Sequence, residues 1–322
     1  MIKTNTVLEL IKEQIKDNLY HGASLAIYEN GEWHEHYLGT IDGNEKVKAG
    51  LVYDLASVSK VVGVGTLLAK LVYQGTIDID KPLRYYYPTF HHQTLTVRQL
   101  ATHSSGIDPF IPNRDQLNAT QLKDAINHIK VLEDKSFKYT DINFLLLGFM
   151  LEEVLGDSLD KLFKRYIFTP FQMKETSFGP RVEAVPTVAG INDGIVHDPK
   201  AKVLGKHTGS AGLFSTIDDL QRFSIHYLKD DFAKPLWNNY SLSKSRSLAW
   251  DIDKDWINHT GYTGPFIALN YQKQAAAIFL TNRTFSYDDR PLWIKKRRHV
   301  QEAITSYFYK KLLLEFSRRS FL

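Results

Sequence analysis

Residues 54–68 read DLASVSKVVGVGTLL, in which a serine and a lysine stand at the start of an apolar run. Ser57 stands three residues before Lys60, and positions three apart share one face of a helix, so hydroxyl and amine can meet. A serine is a weak nucleophile until a base activates it, and a desolvated lysine can be that base. At a helix N-terminus its amide can also stabilise an oxyanion. The stretch therefore predicts a nucleophilic serine.

The Ser-x-x-Lys spacing by itself has low specificity. It occurs three times, at Ser57/Lys60, Ser158/Lys161 and Ser241/Lys244. Only the first pair opens a long apolar helical run, and that run contains Gly63 and Gly65. Because a glycine inside a helix costs about 1 kcal/mol relative to alanine, we expect close packing against another element there.

Composition describes an ordinary globular protein. The chain has 322 residues, enough for one large domain or two interleaved ones, with 43% hydrophobic and 24% charged residues. It has no cysteine, which excludes disulfides, thiol catalysis and thiolate metal sites. The first 20 residues lack the continuous apolar core of a signal peptide, and we expect no membrane span. We therefore expect a soluble, cytoplasmic protein unless an export leader was removed.

The net charge of +4 raises the question of a polyanionic partner. Much of the excess lies in the basic residues near the C-terminus, namely Lys295, Lys296, Arg297, Arg298, Arg318 and Arg319. We interpret them as the solvated face of a C-terminal helix, because no recognised binding module accompanies them. The sequence thus predicts no nucleic-acid or membrane partner, and it leaves the oligomeric state open.

A second chemical signal lies in residues 137–156, FKYTDINFLLLGFMLEEVLG. Tyr139 precedes a strongly apolar helix, for which Asp141 is a candidate N-cap. A tyrosine at a helix entrance can point its phenol into a cleft, and beside a lysine cation a phenolate can serve as a base. Alone, the residue would fit a buried structural tyrosine equally well. His103 lacks an acidic partner in the sequence pattern, so we interpret it as a loop-bracing residue.

A third signal is His259-Thr260-Gly261, followed by Tyr262, at the end of a predicted strand. A strand with a basic residue, a hydroxyl and a glycine can line a cleft. The charge and the hydroxyl can bind a substrate carboxylate, and the glycine lets a ligand approach the backbone. These four residues are therefore candidate substrate-binding or oxyanion-binding residues.

Strand patterns occur near both ends of the chain. Residues 21–39 alternate polar and apolar on both sides of Asn30-Gly31, which predicts a two-stranded hairpin. Residues 247–252, 256–262, 264–271 and 275–282 predict an antiparallel meander, and residues 291–316 a closing helix. His34 and His36 share one face of the second hairpin strand, but without a third ligand we interpret them as surface residues rather than a metal site.

The ordered triple of Ser-x-x-Lys, Tyr-x-Asp and His-Thr-Gly resembles the serine β-lactamase and penicillin-binding protein superfamily. The likeness is greatest to the class C β-lactamase-like branch, which includes esterases and D-amino-acid peptidases, and it extends to residues 96–107 and 211–223. The resemblance implies an α+β fold, an antiparallel sheet flanked by terminal helices. Residues 1–80 and 240–322 would form that part, 81–239 a mostly helical insertion, and the active site would lie between them.

The same resemblance implies roles for individual residues. Ser57 would be acylated, Lys60 and Tyr139 would shuttle the proton, and the amides of Ser57 and Tyr262 would form an oxyanion hole. Which of Lys60 and Tyr139 is the base is left open, because coupled groups share their titration.

Two positions depart from the pattern of many relatives. Asp141 stands where asparagine is common, and its charge should favour a protonated Lys60, which shifts the role of base towards Tyr139. His259 replaces a lysine, so the hold on a substrate carboxylate should weaken above a pH of about 6.5.

Together these features predict a bacterial serine hydrolase that acts through an acyl-enzyme on small esters or amides. D-amino-acid peptides are among the candidate substrates, and β-lactam turnover should be weak at most. The alternative is a non-catalytic penicillin-binding-type sensor. An α/β-hydrolase is excluded because no Gly-x-Ser-x-Gly elbow occurs. We expect no cofactor and no metal.

Overall fold

The computed structural model describes the backbone of residues 5–319 and the side chains of residues 6–309. The side chains of Arg318 and Arg319 lie outside that part. The α-helices are α1 (Asn5–Lys16), α2 (Thr66–Tyr73), α3 (Leu83–Tyr86), α4 (Val97–Ala101), α5 (Ala119–Asn127), α6 (Ile142–Leu155), α7 (Leu159–Phe163), α8 (Pro199–Leu204), α9 (Ile217–Lys229) and α10 (Arg290–Arg319). The strands are β1 (Gly22–Glu29), β2 (Glu32–Gly39), β3 (Tyr53–Asp54), β4 (Ser177–Phe178), β5 (Leu213–Ser215), β6 (Asp251–Asp253), β7 (Trp256–Thr260), β8 (Phe266–Asn270) and β9 (Ala275–Thr281).

A six-stranded antiparallel sheet joins the two ends of the chain. Its order is β2-β1-β9-β8-β7-β6, so the N-terminal hairpin pairs with the last strand. Asn30 and Gly31 at the hairpin turn have φ angles of 53° and 88°, as a type I′ turn requires. A second sheet has three strands in the order β3-β5-β4, and its strand β3 ends just before Ser57. The predicted hairpin and the α+β fold are confirmed.

Both faces of the large sheet are buried at β9, which explains why residues 275–280 read as a continuous apolar run. One face packs against α1 and α10, with Ile27 and Phe279 in the shared cluster. Ile278 and Leu280 point the opposite way, into the main core with the helices that precede β6. The division of the chain into 1–80 with 240–322 and the insertion 81–239 stays a prediction.

The helical segment that carries Ser57 begins with a 3₁₀ turn at Ala56–Val58 and widens into a π-helical turn at Val61–Gly65 before α2. Residues 56–73 have the length and hydropathy of a membrane span, but 78% of that window is buried inside the molecule. That burial is typical of a core helix.

The two glycines of this segment are places of close packing, as predicted. A Cβ at Gly63 would lie 2.4 Å from the Phe163 ring, and a Cβ at Gly65 would lie 2.6 Å from the Cβ of Ala249. Both separations are shorter than van der Waals contact, so neighbouring side chains occupy the space that a larger residue would need.

Gly63→Ala is expected to lower the free energy of unfolding by about 1–3 kcal/mol, because overpacking against the Phe163 ring outweighs the better helix propensity of alanine. Urea unfolding would measure it. In a Phe163→Leu background the smaller side chain should leave room, so the same substitution should cost less. An equal cost in both backgrounds would contradict the packing explanation.

Two elements differ from the sequence expectation. Residues 247–250 are not a strand, because Ala249 has a φ of 70° and its amide donates to the Ala101 carbonyl, which turns the chain away from the sheet. Only β6 remains of the predicted strand. The sequence of residues 119–131 predicts one helix, but α5 ends at Asn127, because Val131 pairs with Ile107 in an isolated β-bridge.

Candidate active site

Ser57 and Lys60 meet as the helical spacing predicts. The Lys60 Nζ lies 2.8 Å from the Ser57 Oγ, and the lysine side chain is fully buried. The same ammonium also donates to Asp141 Oδ1 and to the Ser210 carbonyl, both at 2.8 Å. An ammonium has three protons, and these three bonds use all of them. Lys60 is therefore bound as a cation, with Ser57 as one of its acceptors.

The charge state of Lys60 follows from Asp141. Burial alone would lower the pKa of the Lys60 ammonium, but the adjacent Asp141 carboxylate outweighs burial and raises that pKa above its usual range. Burial likewise opposes ionisation of Asp141, yet the charges of Lys60 and Lys200 hold its pKa well below the usual range. Both groups are thus ionised at neutral pH. This agrees with the protonated Lys60 that the sequence predicted.

Asp141 occupies the N-cap position of α6, but its side chain makes no capping hydrogen bond. The expected capping role was wrong, because both carboxylate oxygens are taken by lysines. Oδ1 pairs with Lys60, and Oδ2 lies 3.0 Å from the Nζ of Lys200. Lys200 lies 3.3 Å from Asp198, which caps α8. An ionic chain of alternating sign therefore runs away from Ser57 through Lys60, Asp141, Lys200 and Asp198.

Tyr139 lies beside this chain, at the cavity surface. Its side chain is 41% exposed, and its ring centroid is 5.2 Å from the Lys60 Nζ. The ring stacks on His103 at 4.4 Å, and the His103 Nδ1 lies 2.9 Å from the side-chain Nδ2 of Asn143. Burial holds the pKa of His103 well below its usual value, so this neutral, buried ring supports Tyr139 from behind. His103 is thus a bracing residue, as expected.

His259 is buried at the end of β7, and its Nδ1 lies 3.1 Å from the Thr260 carbonyl. Burial, reinforced by the charges of Lys60 and Arg246, holds the pKa of His259 well below its usual value. The expectation that His259 would bind a carboxylate up to a pH of about 6.5 was therefore wrong. The imidazole is already neutral at that pH and offers no positive charge.

Gly261 also has a packing role that the sequence did not predict. A Cβ there would lie 2.7 Å from the Leu55 carbonyl oxygen and 2.6 Å from the Pro265 ring. The glycine therefore lets the end of β7 pack against the turn that holds Ser57. Thr263 adds a hydrogen bond of 3.1 Å to the Asp54 carbonyl, which joins the same two segments.

Asp54 stabilises the backbone turn that carries Ser57, and the sequence interpretation did not identify this residue. Its carboxylate accepts from the amides of Ala56 and His197, each at 2.7 Å. Burial raises the pKa of this carboxyl to about 6 despite those two hydrogen bonds. Two N–H groups on one carboxylate fix the backbone immediately before Ser57.

Tyr262 is held by two partners on the far side of the turn. The Arg283 Nε donates to the Tyr262 carbonyl at 2.7 Å, and Asp288 binds both the Tyr262 hydroxyl and the Arg283 guanidinium. Within the described residues the Tyr262 amide has no acceptor. It is therefore available as a hydrogen-bond donor in a residue that lines the same cavity as Ser57.

These residues surround one cavity of about 650 Å³. Its wall includes six of the eight residues that the sequence singled out, namely Ser57, Tyr139, Asp141, Thr260, Gly261 and Tyr262. Lys60 and His259 lie behind that wall, each with a contact to it. The sequence interpretation missed Lys200, Arg283, Arg290 and Arg297, which also line the cavity. The expectation of a fully solvated basic face was wrong for Arg297, which lines the cavity, although Lys295 and Arg298 are exposed.

Among the described residues no cluster of three or more His, Cys, Asp or Glu could hold a metal ion. The chemistry of the cavity is that of a hydroxyl, a phenol, buried ion pairs and backbone amides.

Asp141→Asn is expected to move the alkaline limb of the kcat/KM profile to lower pH by about one to three units. Without the carboxylate, burial dominates and lowers the pKa of Lys60, so the ammonium is lost at a lower pH. A profile with p-nitrophenyl acetate between pH 5 and 10 measures the limb.

Lys200→Gln provides the matched comparison, because it removes the other partner of Asp141 and leaves the pair with Lys60 intact. Its alkaline limb should stay in place or move to higher pH. If the alkaline limbs of Asp141→Asn and Lys200→Gln both moved to lower pH, Asp141 would not be the group that keeps Lys60 charged.

Comparison with known proteins places this geometry in a family. The beta-lactamase family model matches residues 7–302. A putative D-alanyl-D-alanine carboxypeptidase of Escherichia coli K12 is 27% identical over 319 residues, covering 78% of this chain and 74% of the relative. A class C beta-lactamase structure superposes with a TM-score of 0.73 at 20% identity, covering 94% of this chain and 97% of the other.

A third comparison is with the D-amino acid amidase of Ochrobactrum anthropi SV3, solved with D-phenylalanine. Its TM-score is 0.76 at 17% identity, covering 96% of this chain and 99% of that one. These structures share the fold over nearly the full length, and the family model spans the elements that carry Ser57, Tyr139 and His259. The chain belongs to the beta-lactamase family.

Proposed function

We propose that this protein is a serine hydrolase that cleaves small esters or amides through an acyl-enzyme on Ser57. One observation carries the proposal: the Ser57 hydroxyl lines a 650 Å³ cavity and accepts a 2.8 Å hydrogen bond from a buried lysine cation. Because Lys60 donates to the serine oxygen, the serine's own proton points to another acceptor. Tyr139, beside Lys60 at the cavity surface, is the group placed to take it.

The reaction we propose runs in two halves. The Ser57 oxygen bonds to the substrate carbonyl carbon while its proton passes to the Tyr139 oxygen as general base, and the carbonyl oxygen becomes an oxyanion. The amides of Ser57 and Tyr262 stabilise that oxyanion. The bond to the leaving group then breaks, and the leaving group takes the proton from Tyr139. Water repeats the sequence on the acyl-enzyme and frees Ser57.

Lys60 has an electrostatic role in this scheme. A fixed ammonium beside the serine and the tyrosine stabilises the negative charge that passes between their oxygens. The Asp141 pair maintains the ammonium, so the base in this chain is Tyr139. We therefore favour Tyr139 over Lys60, the two candidates between which the sequence left the choice open.

The names of the relatives suggest substrates to test. Carboxypeptidase, amidase and beta-lactamase relatives all act on acyl groups, and D-amino-acid amides or peptides are candidates here. A neutral His259 withholds the positive charge that the sequence pattern led us to expect at this strand. We therefore propose that β-lactams are poor substrates.

Labelling with a fluorophosphonate, followed by peptide mass spectrometry, tests the proposal. We expect one adduct, on Ser57, together with turnover of p-nitrophenyl acetate or D-alanine p-nitroanilide and slow turnover of nitrocefin. An unmodified Ser57 beside a labelled serine elsewhere would refute the assignment. A stable penicillin adduct on Ser57 with no turnover of any ester or amide would favour the sensor alternative.

A further inference from the structure

The turn that joins β7 to β8 carries the Tyr262 amide. A trans peptide points its carbonyl and the next N–H in opposite directions. The Gly261 carbonyl accepts the Gly264 amide inside the turn, at 3.3 Å, so the Tyr262 N–H points out of the turn. Gly261 and Tyr262 both line the cavity that contains Ser57. The position of this donor therefore depends on the contacts that hold the turn in place.

Arg283 binds two successive carbonyls of this turn. Its backbone amide donates to the Thr263 carbonyl at 2.9 Å, and its Nε donates to the Tyr262 carbonyl at 2.7 Å. The guanidinium carbon also lies 4.5 Å from the centroid of the Tyr262 ring. The Arg283 side chain is 2% exposed, and a hydrogen bond is electrostatically stronger at such a buried position than in water. One buried residue thus holds Tyr262 by both its main chain and its ring.

Asp288 fixes the orientation of the Arg283 guanidinium. One oxygen of its carboxylate accepts from the Arg283 Nη1, and the other accepts from the Tyr262 hydroxyl. Arg283, Asp288 and Tyr262 therefore form a closed ring of contacts. A side chain that is bound on several sides has few other rotamers available, which is what the precise placement of a functional group requires.

His197 connects this ring of contacts to the turn that carries the nucleophile. Its imidazole stacks on Tyr262, with 5.7 Å between the ring centroids. Its backbone amide donates to the Asp54 carboxylate, which also accepts the Ala56 amide. Ser57 follows Ala56 directly. The two candidate oxyanion donors, the amides of Ser57 and Tyr262, are therefore held by one connected set of contacts.

We propose that Arg283, oriented by Asp288, is a positioning residue for the oxyanion hole. It holds the Tyr262 amide at the place where the substrate carbonyl oxygen becomes negatively charged. Such a role matters because misplacement of a reacting geometry by about 1 Å can cost about 10²-fold in rate. The inference rests on the proposed hydrolase function, and it identifies residues that make the transition-state stabilisation of that reaction possible.

A pair of esters that differ in one atom tests this role. p-Nitrophenyl acetate forms an oxyanion, whereas p-nitrophenyl thionoacetate places a sulfur, a weak hydrogen-bond acceptor, at the same position. Arg283→Met removes the donors of the side chain and keeps an unbranched chain in the space. We expect it to lower kcat/KM about 10- to 100-fold for the acetate and less than about threefold for the thionoacetate. Absorbance of the released p-nitrophenolate measures both rates.

Arg114→Met is the matched control for loss of a cavity arginine. Arg114 also lines the cavity and also pairs with an aspartate, Asp115. Among the described residues it forms no hydrogen bond with Tyr262. This variant measures the effect of removing one positive charge, and its ratio of acetate to thionoacetate activity should stay within about threefold of the native ratio.

Two further measurements apply where Arg283→Met folds poorly. Asp288→Ala changes a side chain that is 38% exposed, and it should lower the ratio of acetate to thionoacetate activity in the same direction. In Arg283→Ala, added guanidinium chloride should restore part of the acetate activity. Ammonium chloride at the same concentration should not, because the planar guanidinium can donate to the Tyr262 carbonyl and to Asp288 together.

Equal slowing of the acetate and the thionoacetate by Arg283→Met would overturn the inference. So would an equally large change of their ratio in Arg114→Met. Both results leave the hydrolase proposal intact, because the native protein still turns over the esters. Native protein that turns over neither ester and forms no adduct on Ser57 would instead contradict the proposed function, and the positioning role with it.

Discussion

Ser57→Ala is expected to lower kcat/KM for p-nitrophenyl acetate by at least about 10⁴-fold, because it removes the atom that forms the covalent bond. Binding and the remaining amide donors can sustain only a residual rate. The fluorophosphonate adduct should disappear at the same time. Steady-state kinetics and intact-protein mass spectrometry measure the two effects.

The chain supplies matched controls for this substitution in its two other Ser-x-x-Lys pairs. The Ser158 hydroxyl binds Asp160, while Lys161 pairs with Asp157. Ser241 lies in a loop, and Lys244 pairs with Asp251. Ser158→Ala and Ser241→Ala should therefore keep near-native activity. Loss of activity in either control, with retention in Ser57→Ala, would reverse the assignment of the nucleophile.

Tyr139→Phe is expected to lower kcat by about 10²- to 10⁴-fold with little change in KM, because it removes the proton acceptor and leaves the cavity shape intact. Folding should be unaffected, since the side chain is 41% exposed and its ring still stacks on His103. Circular dichroism and thermal unfolding verify the fold before the kinetics are compared.

Tyr85→Phe is the control for loss of a phenol, because Tyr85 is 68% exposed and belongs to a helix outside the cavity wall. The double variant Ser57→Ala/Tyr139→Phe should lose little more activity than Ser57→Ala alone, since Ser57 and Tyr139 act in one step. A native kcat in Tyr139→Phe would return the role of base to Lys60.

The contact between Ser57 and Lys60 could be predicted because it is local. Three residues of helix bring hydroxyl and amine together whatever the rest of the chain does. The hairpin at Asn30-Gly31 was predictable for the same reason, since two residues with positive φ define the turn. Gly63 was predictable because a glycine inside a helix needs a packing reason, which the Phe163 ring provides.

The expectations that failed depended on contacts distant in the chain. The capping role of Asp141 was a reasonable local prediction, but two lysines from other segments take its oxygens. The charge of His259 could not be predicted from its type, because burial and the positive charges of Lys60 and Arg246 decide it. Arg297 belonged to a basic run that resembles a solvated face, and only packing of α10 brings it to the cavity.

The family, the antiparallel fold and the candidates Ser57, Lys60 and Tyr139 could be predicted from the sequence, because each follows from short spacings and their order along the chain. The electrostatics of the site depend on the folded structure. It brought Asp141 and Lys200 beside Lys60 and buried His259 in its neutral form. It also left the guanidiniums of α10 facing the nucleophile cavity. Charge states depend on burial and on neighbours in space, and a linear sequence contains neither.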